Sequence, residues 1–143
     1  YGTEILMTGY KPDGDGFLRK DFPGGWKEDK VNKFGEPGRT AKENEVFEYT
    51  KKLLNWRKGN EIISKGAFKH FAPVNGIYVY ERKYNGKSVV VILSGSDSGK
   101  TISLERYKEI LPESRAKDII SGNTVSLGDT LTISPRNVLI LEF

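Results

Sequence analysis

The sequence predicts a mainly β fold: an antiparallel sandwich or barrel over residues 60–143, preceded by a loop and a single long helix within residues 1–59. Three observations carry this. From Ala67 onward, short β-branched and aromatic runs follow one another with a period of two. Asn75-Gly76 and Asn85-Gly86 fall between such runs, where two-residue hairpin turns need positive φ. Residues 40–58 instead carry apolar side chains at helical spacing.

The elements are justified in order. Ile5-Leu6-Met7 is a short apolar run that reads as the end of a buried strand. Residues 8–39 are rich in Gly, Pro and Asp; Gly14, Gly16, Gly24, Gly25, Gly35 and Gly38 break any period, as in a long functional loop. Thr40 followed three residues later by Glu43 is a capping box, which satisfies two otherwise orphan amides. Val46, Tyr49, Leu53 and Trp56, widened by Phe47 and Leu54, form the helix stripe. Lys51, Lys52, Arg57 and Lys58 suit the negative end of the helix dipole, and Gly59 is expected to supply a left-handed stop. Strands are expected at 77–80, 88–93, 101–104, 130–133 and 138–141, with one or two helical turns between Glu105 and Leu111.

Composition narrows the function classes. The chain has 143 residues, 36% hydrophobic and 29% charged, which is globular and not disordered. No apolar run approaches the roughly 18 residues needed to cross a bilayer, so no membrane role is expected. Tyr1 follows neither a basic segment nor a methionine, and the chain is expected to be a piece of a longer one. The 23 Lys+Arg and 19 Asp+Glu are interleaved, so the +4 net charge does not form the clustered face that nucleic acid requires. With no cysteine and a lone His70, common zinc sites and cysteine nucleophiles are excluded; no metal and no cofactor are expected.

Carboxylate chemistry is equally thin. A glycosidase needs two carboxyl groups at set separation, one protonated and one ionised. Glu4, Asp13 and Asp15 are the only candidates beside a plausible cleft, and they read as turn residues or ligand contacts, so no catalytic residue is assigned. Asp13-Gly14-Asp15-Gly16 fails the EF-hand pattern at Phe17 and Gly24. Ser94 to Thr101 misses the phosphate-loop spacing by one residue and precedes a strand; it reads as a hairpin loop. Tyr10, Phe17, Phe22 and Trp26 share the glycine-rich loop with Asp13, Asp15 and Arg19. Such a set offers rings to stack on a sugar and polar groups for its hydroxyls, or else forms a small core that holds the loop together.

Tyr1-Gly2-Thr3-Glu4, then Asp15-Gly16-Phe17-Leu18-Arg19, then Asp21-Phe22-Pro23-Gly24-Gly25-Trp26 resemble the α-amylase family of glycoside hydrolases, in its neopullulanase and cyclomaltodextrinase branch. Leu53 to Lys58 is similar to the end of that family's last barrel helix. Pro135 to Leu141 is similar to the close of its C-terminal domain. The resemblance implies that residues 1–59 are the end of a (β/α)8 barrel (strand 1–7, loop 8–39 on the catalytic face, helix 40–58) and that residues 60–143 are a C-terminal antiparallel Greek-key β-sandwich. It implies that Asp15 and Arg19 contact glucose units and that Glu4 lies near the site. Gly16 stands where the family has Pro, and Pro12-Asp13-Gly14 adds length, so either Asp13 or Asp15 is the contacting carboxylate.

The implied parent hydrolyses α-1,4-glucosidic bonds by the retaining route on starch, pullulan or cyclodextrin oligosaccharides. Its catalytic carboxylates lie on earlier strands, in a barrel that is the missing partner of this chain. A periplasmic setting is expected from the branch resembled, with the cytoplasm as the alternative. The sandwich is expected to be ordered and to carry the helix, with the helix stripe partly exposed and residues 1–7 disordered or lent to a neighbour. The alternative is a non-catalytic carbohydrate-binding sandwich, which would show an exposed aromatic platform at Tyr78 with Tyr80 or Tyr84.

Overall fold

The computed structural model describes all residues, 1–143. The chain divides into two compact units, Tyr1–Lys58 and Gly59–Phe143.

In the first unit, residues 1–7 form no strand and are not disordered: Thr3–Ile5 is a 3-10 turn. Gly2 (φ 87°) and Leu6 (φ 56°) on either side are left-handed, which no strand accommodates. Met7 N–H closes the turn on the Gly2 carbonyl at 2.8 Å. The turn lies against helix α2 (Ala41–Lys58), and Ile5 is fully buried. The short helix α1 (Asp15–Leu18) interrupts the loop between them.

The capping box of α2 forms as read. Glu43 N–H donates to Thr40 Oγ1 at 3.3 Å, and Thr40 N–H donates to Glu43 Oε2 at 2.8 Å. Lys33 also pairs with Glu43, and its hydrogen bond, with that of Thr40, holds the carboxyl below the usual range. No residue of α2 is fully buried: Val46, Phe47, Leu53 and Trp56 of the stripe are half-buried, and Tyr49 and Leu54 are 41% and 59% exposed. Gly59 does not take the expected left-handed conformation. The helix stops because Asn60 turns extended (φ −90°, ψ 103°) and caps the next helix, α3 (Glu61–Lys65), accepting from Ile62 N–H at 3.0 Å.

The second unit holds eight strands: β1 (Ala67–Val74), β2 (Ile77–Tyr84), β3 (Lys87–Ser94), β4 (Lys100–Ser103), β5 (Arg115–Asp118), β6 (Thr124–Ser126), β7 (Thr130–Ile133) and β8 (Val138–Glu142). One antiparallel sheet runs β1-β2-β3-β8-β5-β6 and a second pairs β4 with β7. The C-terminal strand thus inserts between β3 and β5, as a Greek-key path requires. Asn75-Gly76 and Asn85-Gly86 both have positive φ and close the β1–β2 and β2–β3 hairpins in the primed-turn conformation. Pro73, unable to donate, sits in the irregularity between Phe71 and Val74 of edge strand β1.

Ile77, Val79, Val90, Ile92 and Leu141 of the large sheet meet Leu131 and Ile133 of the small one. Leu104, Tyr107 and Ile110, around the 3-10 helix Glu105–Ile110, close the gap between the sheets. Phe71 packs edge-on against Tyr107 at 5.0 Å. Strand β3 is buried on both faces; α3 covers β2 and β3 from outside the sandwich.

Strands β5 and β6 lacked a sequence signal, and Asp118 explains β5. This carboxylate is 3% exposed and accepts from Ile140 N–H at 3.1 Å, Ile120 N–H at 3.3 Å, and Ser121 N–H and Oγ at 2.9 and 2.6 Å. Burial pushes its pKa up, but these bonds outweigh burial and leave it below the ordinary value. A polar staple therefore fixes β5 to β8 where apolar alternation is absent. Glu81, inward on β2, goes the other way: burial raises its pKa against the pull of Lys83 and Lys69.

Candidate functional site

The loop of the first unit has two halves with different anchoring. In residues 21–39, Asp29 accepts from Gly24 N–H at 2.7 Å and Trp26 N–H at 3.1 Å, bonds that lower its pKa. Lys33 N–H donates to the Pro23 carbonyl at 3.0 Å, and Phe22 and Phe34 meet at 4.5 Å between ring centroids. Arg39 ties this half to the helix: it donates to Asn44 Oδ1 and to the Lys33 and Phe34 carbonyls, and its guanidinium lies 3.8 Å over the Phe47 ring. For Phe22, then, the small-core reading holds.

Residues 8–20 are more open. Tyr1 Oη donates to the Lys20 carbonyl at 2.5 Å and Lys20 Nζ to the Thr8 carbonyl at 3.4 Å, closing the base of the loop. Gly9 packs against Phe17 and Leu18, where a Cβ would fall 2.4 Å from the Phe17 carbonyl oxygen. Gly14, at φ 108° and ψ 164°, is the pivot between the turn Lys11–Asp13 and α1, a conformation essentially reserved for glycine.

That pivot separates the two candidate carboxylates. Asp13 ends the turn before it, and Asp15 opens α1 after it. Asp15 and Arg19 come together across one helical turn at 3.8 Å, with side chains 64% and 78% exposed. Neither Asp13 nor Glu4 joins that pair or makes a side-chain hydrogen bond of its own. Glu4 sits half-buried in the Thr3–Ile5 turn. Tyr10, Phe17 and Trp26 are 64%, 53% and 63% exposed. The arrangement offers rings, one carboxylate and one guanidinium to a ligand. It builds no pair of carboxyl groups in contrasting environments that would run acid–base chemistry.

The second unit carries two features that the sequence reading placed differently. Residues 94–101 are not a hairpin loop, because β3 belongs to the large sheet and β4 to the small one. The segment crosses between sheets, held by Gly95 N–H on the Gly76 carbonyl at 2.9 Å and Arg136 N–H on the Ser96 carbonyl at 2.9 Å. Tyr78 and Tyr80 are half-buried on the outer face of β2. Tyr84 stands apart from them, near Lys65. Phe68 and His70 of β1 join the tyrosines there, a grouping missed because His70 was read singly and not as i+2 from Phe68.

Comparison with known proteins now bears on these units. Residues 68–142, just over half the chain, match the family described as the cyclo-malto-dextrinase C-terminal domain. The chain is 28% identical over 144 residues to a cyclomaltodextrinase of Thermoanaerobacter pseudethanolicus, covering 99% of this chain and 21% of that protein. It is 29% identical over 138 residues to a cyclomaltodextrin glucanotransferase of Bacillus licheniformis, covering 96% of this chain and 16% of that protein. Among solved structures, the α-amylase of Geobacillus thermoleovorans, complexed with acarbose, superposes with a TM-score of 0.68 at 20% identity. That match covers 99% of this chain and 28% of the amylase, and shows a shared fold. The chain spans about a fifth of the length of the curated relatives it matches, and it belongs to the cyclo-malto-dextrinase C-terminal domain family.

Proposed function

We propose that this chain is the closing portion of a retaining α-1,4-glucan hydrolase of the cyclomaltodextrinase or neopullulanase kind. In this reading the first unit is the last βα unit of a (β/α)8 barrel and the second is the C-terminal sandwich. Asp15 and Arg19 contact glucose units, with Asp13 and Glu4 beside them, and the catalytic carboxylates come from the barrel that precedes. The observation that carries the reading is similarity along 99% of the chain to a cyclomaltodextrinase, with the sandwich matched by that enzyme's own domain family. The exposure of Leu54 on α2 supports it, because a leucine left in water forgoes about 1.5–3 kcal/mol. The exposed Asp15–Arg19 pair supports it too, standing free to exchange its mutual contact for sugar hydroxyls.

The test is an assay of reducing sugar released from maltoheptaose and β-cyclodextrin. The 143-residue chain is expected to release none, and the longer protein that contains it to be active. In that protein, Asp15→Ala or Arg19→Ala should lower kcat/KM about 10- to 100-fold, the loss expected for a hydrogen bond to a charged group. Hydrolysis by the short chain alone, or a longer protein inert on every α-glucan, would overturn the reading.

A further inference from the structure

Asn-Gly occurs at Asn75-Gly76 and at Asn85-Gly86, and both pairs form exposed left-handed hairpin turns. The residue types suit such a turn, and they are also reactive toward each other. Gly86 has no side chain to shield its backbone nitrogen from the carboxamide carbon of Asn85, and Gly76 stands in the same relation to Asn75. The folded turn keeps that carbon and nitrogen out of line, because ring closure needs an asparagine ψ far from the left-handed well. Each asparagine is therefore as reactive as its turn is free to open.

The two turns differ in what holds them. At the β1–β2 turn the Gly76 carbonyl accepts from Gly95 N–H at 2.9 Å, and a Cβ on Gly76 would lie 3.6 Å from the Ser96 nitrogen. The segment that crosses between the sheets thus clamps this turn from outside its own hairpin. The β2–β3 turn has no such clamp. Asn85 and Gly86 make no hydrogen bond outside their hairpin, and a Cβ on Gly86 would meet nothing within 4 Å. One backbone hydrogen bond shifts an opening equilibrium about fivefold, so the clamp decides which asparagine reacts.

We propose that Asn85 is a site of spontaneous deamidation and that the clamp on Gly76 protects Asn75. The Gly86 nitrogen attacks Cγ of Asn85. The N–Cγ bond forms, the Cγ–Nδ2 bond breaks, and ammonia leaves with the proton that the Gly86 amide gives up. Water then opens the succinimide. Attack at Cγ gives aspartate, and attack at the main-chain carbonyl gives isoaspartate, with an extra carbon in the backbone. That carbon falls in the two-residue turn that sets Tyr84 against Lys87, and with them the register of β2 on β3. The new carboxylate stands between Lys83 and Lys87 in sequence.

The test is peptide mapping by mass spectrometry of the unmutated 143-residue chain, aged in mildly alkaline buffer that helps deprotonate the attacking amide. The mass gain of amide to acid is expected at Asn85 at least about fivefold faster than at Asn75. In concentrated urea neither turn is held, and the two rates should converge. Equal or faster conversion at Asn75 in the folded chain overturns the proposal. It would mean that the irregular pairing between Phe71 and Val74 of edge strand β1, and not the Gly95 bond, governs that turn. Conversion at neither site overturns it too. So does a difference that persists unchanged in urea, which would belong to the flanking residues and not to the fold.

Discussion

The two units are held by different kinds of interaction. Gly59–Phe143 closes an apolar core between two sheets, with Val90 and Leu141 wholly removed from water. Tyr1–Lys58 buries Ile5 but no residue of its 18-residue helix, and relies on caps and clamps: Thr40 with Glu43, Asp29 under the Gly24 turn, Arg39 between loop and helix. Polar contacts of this kind fix geometry and contribute about 1 kcal/mol each, whereas a buried aliphatic side chain contributes several. One unit is therefore held by an apolar core, and the other by polar contacts around a helix that buries no residue fully.

The largest test of that contrast compares two leucines. Leu141→Ala should cost about 3–4 kcal/mol in urea unfolding, while Leu54→Ala, at 59% exposure, should stay within about 0.5 kcal/mol. Equal costs would break the comparison.

Next comes the polar staple inside the apolar unit. Asp118→Ala leaves the Ile140, Ile120 and Ser121 amides without their acceptor and should cost about 2–3 kcal/mol at neutral pH. Because the Asp118 pKa is lowered on folding, its contribution is complete above the ordinary aspartate value of 3.8 and is lost as pH falls through the lowered one. Asp118→Asn should flatten that acid limb in stability measured against pH. An unchanged acid limb would mean that the carboxylate is not held as described.

The same contrast between apolar and polar anchoring shows what could be read from the chain alone. Alternation in Ile77–Val79 and Val90–Ile92, and Asn-Gly at both hairpins, announced the centre of the sheet because burial and positive φ leave a residue-type signature. Strand β5, Arg-Ala-Lys-Asp, left none, since Asp118 is placed by hydrogen bonds that its neighbours in sequence do not reveal. Residues 1–7 misled in the opposite direction. Ile5-Leu6-Met7 has strand-like residues, but with no strand alongside, Gly2 and Leu6 turn left-handed and the segment closes on itself. At the candidate site, Asp15 and Arg19 are named only by the family resemblance, and their contact across one turn of α1 is a finding of the structure. The Gly14 pivot that parts Asp15 from Asp13 is a backbone conformation and not a pattern.

Smaller effects sharpen the picture of the first unit. Thr40→Ala removes one half of the capping box and should cost about 1 kcal/mol, read as lost helical ellipticity at 222 nm with the sheet unchanged. Smallest of all, Glu61→Gln breaks the exposed pair with Lys65 and should shift stability by less than about 0.5 kcal/mol, an effect that salt removes.

Native-state hydrogen exchange on the 143-residue chain tests the central contrast most directly. The account predicts that amides of β2, β3 and β8 exchange only by global unfolding, while those in the first turns of α2 exchange through openings that cost several kcal/mol less. Protection in α2 equal to that in β3 would contradict it, and would make Tyr1–Lys58 a folded domain in its own right.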